Sequence, residues 1–132
     1  MDTFSTINDT SNAWSVHAKV LRKWLVRRKA APYPVWKVGM ILVDKDLTRG
    51  EVAVTQKQAL PRFQEEPQEN IIYNFKNFEI EKNVDQYKVT SHPWMLKFHS
   101  HTLYKDSDID FPNFIPYSYI IYTFVEMHLH KI

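Results

Sequence analysis

The sequence predicts an all-β domain, a five-stranded Greek-key barrel with a short helix between the third and fourth strands. Three observations predict it. Residues 14–20 alternate apolar and polar side chains with period two, several further runs are rich in β-branched and aromatic residues, and breaking residues separate most of these runs.

The first strand opens at residues 14–20, where Trp14, Val16, Ala18 and Val20 face one way and Ser15, His17 and Lys19 the other. It continues to Trp24 with the alternation blurred, which marks a bend or bulge. Residues 27–35 form a basic loop, because Pro32 and Pro34 forbid regular helix and disfavour a central strand. Residues 36–44 make the second strand. Asp46 to Gly50 read as a hairpin turn with Gly50 at the left-handed position, and residues 51–56 as the third strand.

Residues 57–69 contain Leu60, Pro61 and Phe63 and suit a short helix or irregular connection plugging one end of the barrel. Residues 70–78 form the fourth strand, with Ile71, Tyr73, Phe75 and Asn77 opposed to Ile72, Asn74 and Lys76. The fifth comprises residues 87–90 and 94–103, broken at Ser91, His92 and Pro93. This order is that of the OB-fold, and closure into a barrel spares so many β-branched segments an open edge. The barrel is expected at residues 14–104, between a polar extension at 1–13 and an aromatic-rich tail at 105–132.

Composition narrows the function. With 132 residues, 44% of them hydrophobic, the chain can bury one real core. The absence of cysteine excludes disulfides and thiolate metal sites and fits a nuclear or cytosolic compartment. Residues 1–15 lack the basic and apolar regions of a secretory signal. The apolar run at 109–125 is interrupted by Asp110, Pro112, Asn113 and Pro116 and falls short of the roughly 20 clean residues of a membrane span. No Ser-His-Asp spacing, Gly-rich phosphate loop or carboxylate pair stands out, so neither an enzyme nor a small-molecule substrate is expected. His99 with His101, and His128 with His130, each place two imidazoles on one strand face. Nothing makes a third ligand converge, and no metal or cofactor is expected.

Charge is distributed one-sidedly. Between Asp9 and Asp44 there is no acidic residue, while Lys19, Arg22, Lys23, Arg27, Arg28, Lys29 and Lys37 all fall there. The rest of the chain holds ten basic residues against fifteen acidic ones. Such a segment is the footprint of a polyanion-binding surface or, more plainly, a solvated basic face. The candidate nucleic-acid site is the loop with Arg27, Arg28 and Lys29, together with Lys23, Tyr33 and Trp36. Cations track phosphates and flat rings stack bases. Trp36 could equally open the second strand as a core residue. Trp14, Trp24 and Trp94 read as core or barrel rim.

In the same order along the chain, several segments resemble the first DNA-binding OB domain of plant replication protein A large subunits. They are residues 14–20 with Trp24, residues 40–44, Gly50-Glu51-Val52, Leu60-Pro61-Arg62-Phe63, residues 71–78 and residues 87–94 with the His92-Pro93 corner. The resemblance spans about residues 8–104. It implies a single-stranded DNA partner, with other OB domains or replication protein A subunits as further partners. It also implies a nuclear role in replication, repair or recombination. It implies a groove between the 1–2 and 4–5 loops with two base-stacking rings. Tyr87 matches one of them, beside Lys88 as a phosphate contact, and Lys57 stands near the other, where no aromatic is found. Two other readings stay open: an OB module binding acidic peptides, and a truncated or transposon-derived relative with weak binding.

Overall fold

The computed structural model describes residues 2–83 and 92–109. Among the described residues seven strands and one short helix follow one another: β1 Ser15–Arg27, β2 Val35–Val43, β3 Arg49–Val54, α1 Leu60–Glu65, β4 Ile72–Lys76, β5 Glu79–Lys82, β6 Trp94–Phe98 and β7 Leu103–Asp106. They form one sheet in the order β5-β6-β3-β2-β1-β4-β7. Among the described strands β3 and β6 pair in parallel and the other neighbours antiparallel. The expected fourth strand, 70–78, is β4, and β5 lies beyond its expected end; of the expected fifth strand, residues 94–103 hold β6 and the start of β7, while residues 87–90 lie outside the described residues. β4 passes into β5 through Asn77, whose φ of 58° turns the chain, and β6 passes into β7 through residues 99–102. The outermost strands of the sheet, β5 and β7, are thus continuations of β4 and β6. The sheet curls on itself as an OB-fold does.

The alternation seen in the sequence holds in β1: Val16, Ala18 and Val20 are fully buried in the core, while Ser15, His17 and Lys19 are only partly covered. The blurred stretch is a bulge. Val20 pairs with Leu42 and Arg22 with Ile41, leaving Leu21 extra. Because side chains alternate with period two, one extra residue moves every later side chain to the opposite face. Before the bulge even-numbered residues point inward; after it, Arg22, Trp24 and Val26 point outward. The bulge also lets one long strand serve two partners, β4 through residues 15–19 and β2 through residues 19–27.

The core is filled by Val38, Met40 and Leu42 of β2, Val52 and Val54 of β3, Tyr73 and Phe75 of β4, Phe78, and Leu96 and Phe98 of β6. Helix α1 plugs one end with Leu60 and Phe63, with Pro61 at its start where the missing N–H costs nothing. Phe63, Phe75, Phe78 and Phe98 meet as a tilted aromatic stack, with ring centroids 5.2–5.9 Å apart.

The structure corrects the hairpin between β2 and β3. The left-handed residue there is Leu47 (φ 62°), and no glycine has positive φ. The turn is held by Asp44, whose carboxylate accepts the N–H groups of Asp46 and Thr48 at 3.0 Å each. Gly50 lies inside β3 opposite Leu42, and its missing side chain makes room for the ring of Phe4. Phe4 and Ile7 come from the segment read as a polar extension, yet both sit in the core. Three hydrogen bonds are among the contacts that fasten that segment. Phe4 N–H donates to Asp44 Oδ2 (2.9 Å), Ser15 N–H donates to Asp2 Oδ2 (2.8 Å), and His92 Nε2 donates to the Phe4 carbonyl (2.5 Å). His92 Nδ1 in turn accepts the N–H of Trp94 (3.1 Å), so the His92-Pro93 corner clamps the N-terminal segment to β6.

Candidate nucleic-acid interface

Strand register fixes which side chains share the outward face of the sheet, because directly paired residues point the same way. Arg22 pairs with Ile41, Trp24 with Gly39 and Val26 with Lys37. Ile41 and Gly39 pair with Glu51 and Ala53 of β3, and those pair with Met95 and Lys97 of β6. Before the bulge, Lys19 pairs with Val43, which pairs with Arg49. The outward face therefore has a centre of Trp24, Gly39, Ile41, Val43, Ala53 and Met95. Lys19, Arg22, Lys37, Arg49 and Lys97 frame it. Glu51 is the acid within it, buried and accepting Asn83 Nδ2 at 3.3 Å. Trp24 lies flat on Gly39, where no side chain competes for the space. Arg22, Trp24, Arg49 and Glu51 are all engaged in side-chain interactions.

At one end of this face stands the loop joining β1 and β2. It is closed by Arg28 N–H to Pro34 O and Tyr33 N–H to Ala30 O, both 2.9 Å, with Tyr33 left-handed at φ 59° and the Ala31–Pro32 bond cis. Arg27 donates to the Tyr33 carbonyl (3.1 Å). The strand register slips again here: Val26 pairs with Lys37 and Arg27 with Val35, so Trp36 has no partner across the ladder. Trp36 is exposed, and the Arg28 guanidinium sits 5.1 Å above its ring. Tyr33 and Lys29 are exposed beside it. The loop thus presents two rings and three cations to solvent.

The other sequence candidates separate. Lys23 falls on the inward parity after the bulge, opposite Met40. Its ammonium donates to the carbonyls of Gln64 (3.2 Å) and Pro67 (3.0 Å), tying β1 to the exit of α1. Burial draws that ammonium below the usual lysine range, and Glu65, Glu66 and Glu69 act against the shift. Lys57 is exposed in the turn before α1, at the barrel end that carries the β1–β2 loop, since Val54 pairs with Val38. Tyr87 and Lys88 lie outside the described residues. Trp14 and Trp94 are half-buried against the core, as rim residues. His99 and His101 sit in the turn between β6 and β7, where His101 N–H donates to His99 Nδ1 (3.1 Å). Among the described residues no three His, Asp or Glu side chains gather as metal ligands, and His128 and His130 lie outside them.

Sequence reading missed Lys19, Arg22, Trp24, Lys37, Arg49 and Lys97 as one surface. Three of these cations were visible in the acid-free interval. Arg49 and Lys97 become their neighbours only through the pairing of β2 with β3 and of β3 with β6.

An OB-fold barrel with a basic, aromatic outward face is the class these features define. The chain belongs to the family described as "Domain of unknown function DUF223", whose model matches residues 5–123. No curated protein matches. Among solved structures, a replication protein A heterotrimer bound to ssDNA aligns with TM-score 0.71 and 17% identity, over 83% of this chain and 25% of that one. DNA binding domain A of S. cerevisiae replication protein A aligns with TM-score 0.53 and 17% identity, over 81% and 93%. Fission yeast Pot1 with ssDNA aligns with TM-score 0.58 and 10% identity, over 98% and 44%. The chain spans about a quarter of the first of these and less than half of the third. At these identities the likeness establishes the fold.

Proposed function

We propose that the chain binds single-stranded DNA, without catalysis, along the outward face of β1–β2–β3–β6 and the β1–β2 loop. One observation carries the reading: strand register places Lys19, Arg22, Lys37, Arg49 and Lys97 around Trp24, beside Arg27, Arg28, Lys29, Tyr33 and Trp36. Cations spaced along a groove neutralise a backbone, and exposed rings stack bases that are not already paired. Lys57, Tyr87 and Lys88 extend the site in the proposal, on the resemblance alone. That resemblance also motivates the finer assignment, a replication protein A-like module of plants acting in nuclear replication, repair or recombination beside other OB domains.

The test is a salt titration with single-stranded DNA, duplex DNA and RNA in parallel. With about four phosphates neutralised, the log–log slope for a single strand should be roughly −3. Arg27→Glu with Arg28→Glu should abolish most of the binding while shifting stability by no more than about 0.5 kcal/mol. A preference for duplex, or an affinity indifferent to salt, would overturn the reading.

A further inference from the structure

The outer side of β1 borders two faces, and Lys19 belongs to both. Lys19 pairs with Val43 of β2 on one side and with Ile72 of β4 on the other. Toward β2 lies the face already described. Toward β4, strand register sets a second one. Ser15 pairs with Lys76 and His17 with Asn74, and these pair in turn with Leu103 and Lys105 of β7. The alternate residues Val16, Ala18, Tyr73 and Phe75 are buried in the core, so this set points outward.

A cavity of about 330 Å³ opens on the second face, lined by Asn74, Lys76, Leu103, Tyr104 and Lys105. Leu103 is 61% exposed, the most of any large hydrophobic side chain among the described residues. Asn74 is buried, and its Oδ1 accepts the Ser15 hydroxyl at 2.9 Å. Lys76 and Lys105 are exposed at opposite corners of a square whose other corners are Asn74 and Leu103. His17 stands beside this square, its Nδ1 2.7 Å from Ser107 Oγ. Burial lowers the pKa of His17; Asp108 opposes this and Lys76 and Lys105 add to it, so both ammonium groups act on its ring.

An apolar hollow between two cations suits a flat apolar group carried between two anions. A nucleotide within a single strand has that form, a base with a phosphate on each side. The surface leading there is continuous with the first face. Lys105 lies two strands and two residues from Lys19, a span of about 12 Å.

We propose that a single strand bound on the first face continues past Lys19 onto β4 and β7, where one base enters the cavity at Leu103 and the adjoining phosphates meet Lys76 and Lys105. The inference rests on the single-strand reading above and extends its path from one outward face to two.

The experiment uses the full chain with oligo-dT of about 6 and about 16 nucleotides, lengths within the range of OB-fold sites. Lys76→Gln with Lys105→Gln should weaken binding of the longer oligomer several-fold. Its salt slope should become shallower by about 1.4, at roughly 0.7 per phosphate lost, and the shorter oligomer should bind as before. Leu103→Ser should weaken the longer oligomer alone and leave its slope in place, since it touches a base and no phosphate. Unchanged binding of the longer oligomer in either variant overturns the extension and leaves the first face standing. Equal losses at both lengths overturn it too, by making the second face the primary contact. A wild-type chain that binds neither oligomer overturns the single-strand reading itself, and the extension with it. Polyglutamate that binds the wild-type chain but not the lysine variant, with the longer oligomer unaffected, gives the cavity to an acidic peptide and overturns the proposed path.

Discussion

The indole of Trp24 lies across Gly39 so closely that a Cβ at Gly39 would stand 2.4 Å from the ring. No real side chain fits at that distance, so the glycine on β2 and the tryptophan on β1 act as one unit. The bulge at Leu21 is what brings them to the same face.

Gly39→Ala should therefore force Trp24 off the strand and cost about 1–3 kcal/mol, the usual range for overpacking. Gly39→Ala with Trp24→Leu should regain most of that stability, because the smaller side chain can move aside, but not single-strand affinity. Urea midpoints and oligo-dT titrations of the two single variants and the double variant give the coupling directly. Additive stability effects would show that the pair does not act as a unit.

Lys23 separates charge that holds the fold from charge that could hold a ligand. Lys23→Met removes two charge-assisted hydrogen bonds to Gln64 and Pro67. It should lower stability by about 1–2 kcal/mol, below the full range for buried bonds of this kind because the ammonium is only half-buried. The salt slope of oligo-dT binding should not move. A shallower slope would place Lys23 on the phosphates instead.

Phe4 tests whether the N-terminal segment is part of the barrel. Its ring is 1% exposed and fills the space above Gly50. Phe4→Ala should cost about 3–5 kcal/mol, the range for deleting a buried phenyl group. A loss below about 1 kcal/mol would mark the segment as dispensable, since surface changes usually stay within about half of that.

His17 predicts a pH dependence. Burial lowers its pKa in the folded chain; Asp108 opposes this, and Lys76 and Lys105 add to it. The folded state thus resists a proton that the unfolded chain accepts near its ordinary pKa of about 6.5. Stability is fully present above that value and falls as pH drops below it, because the unfolded state then binds more protons. His17→Asn, which keeps a partner for Ser107, should flatten the fall in denaturation midpoint as the pH drops below about 6.5. An unchanged profile would assign the dependence elsewhere.

Much of the barrel was legible in the sequence because its cues are local. Period-two alternation gave the inward residues of β1, Pro61 beside Leu60 and Phe63 marked the plug, and Pro32 and Pro34 marked the basic loop. The cues that misled were also local. Gly50 looked like a turn glycine, but Asp44 capping and a left-handed Leu47 make that turn. The first thirteen residues looked polar on average, which hid the single rings and methyls of Phe4 and Ile7 that count for packing.

The sequence by itself determined the barrel order, the helix plug and the one-sided charge of residues 10–43, since each depends on neighbours a few positions apart. Only the tertiary structure decided which cations form a surface. Arg22 meets Ile41, Ile41 meets Glu51 and Glu51 meets Met95 through pairings of residues far apart in sequence. One extra residue at Leu21 decides whether Arg22 and Trp24 face the core or the solvent side. A period-two pattern carries no record of such a slip until the partner strand is in place.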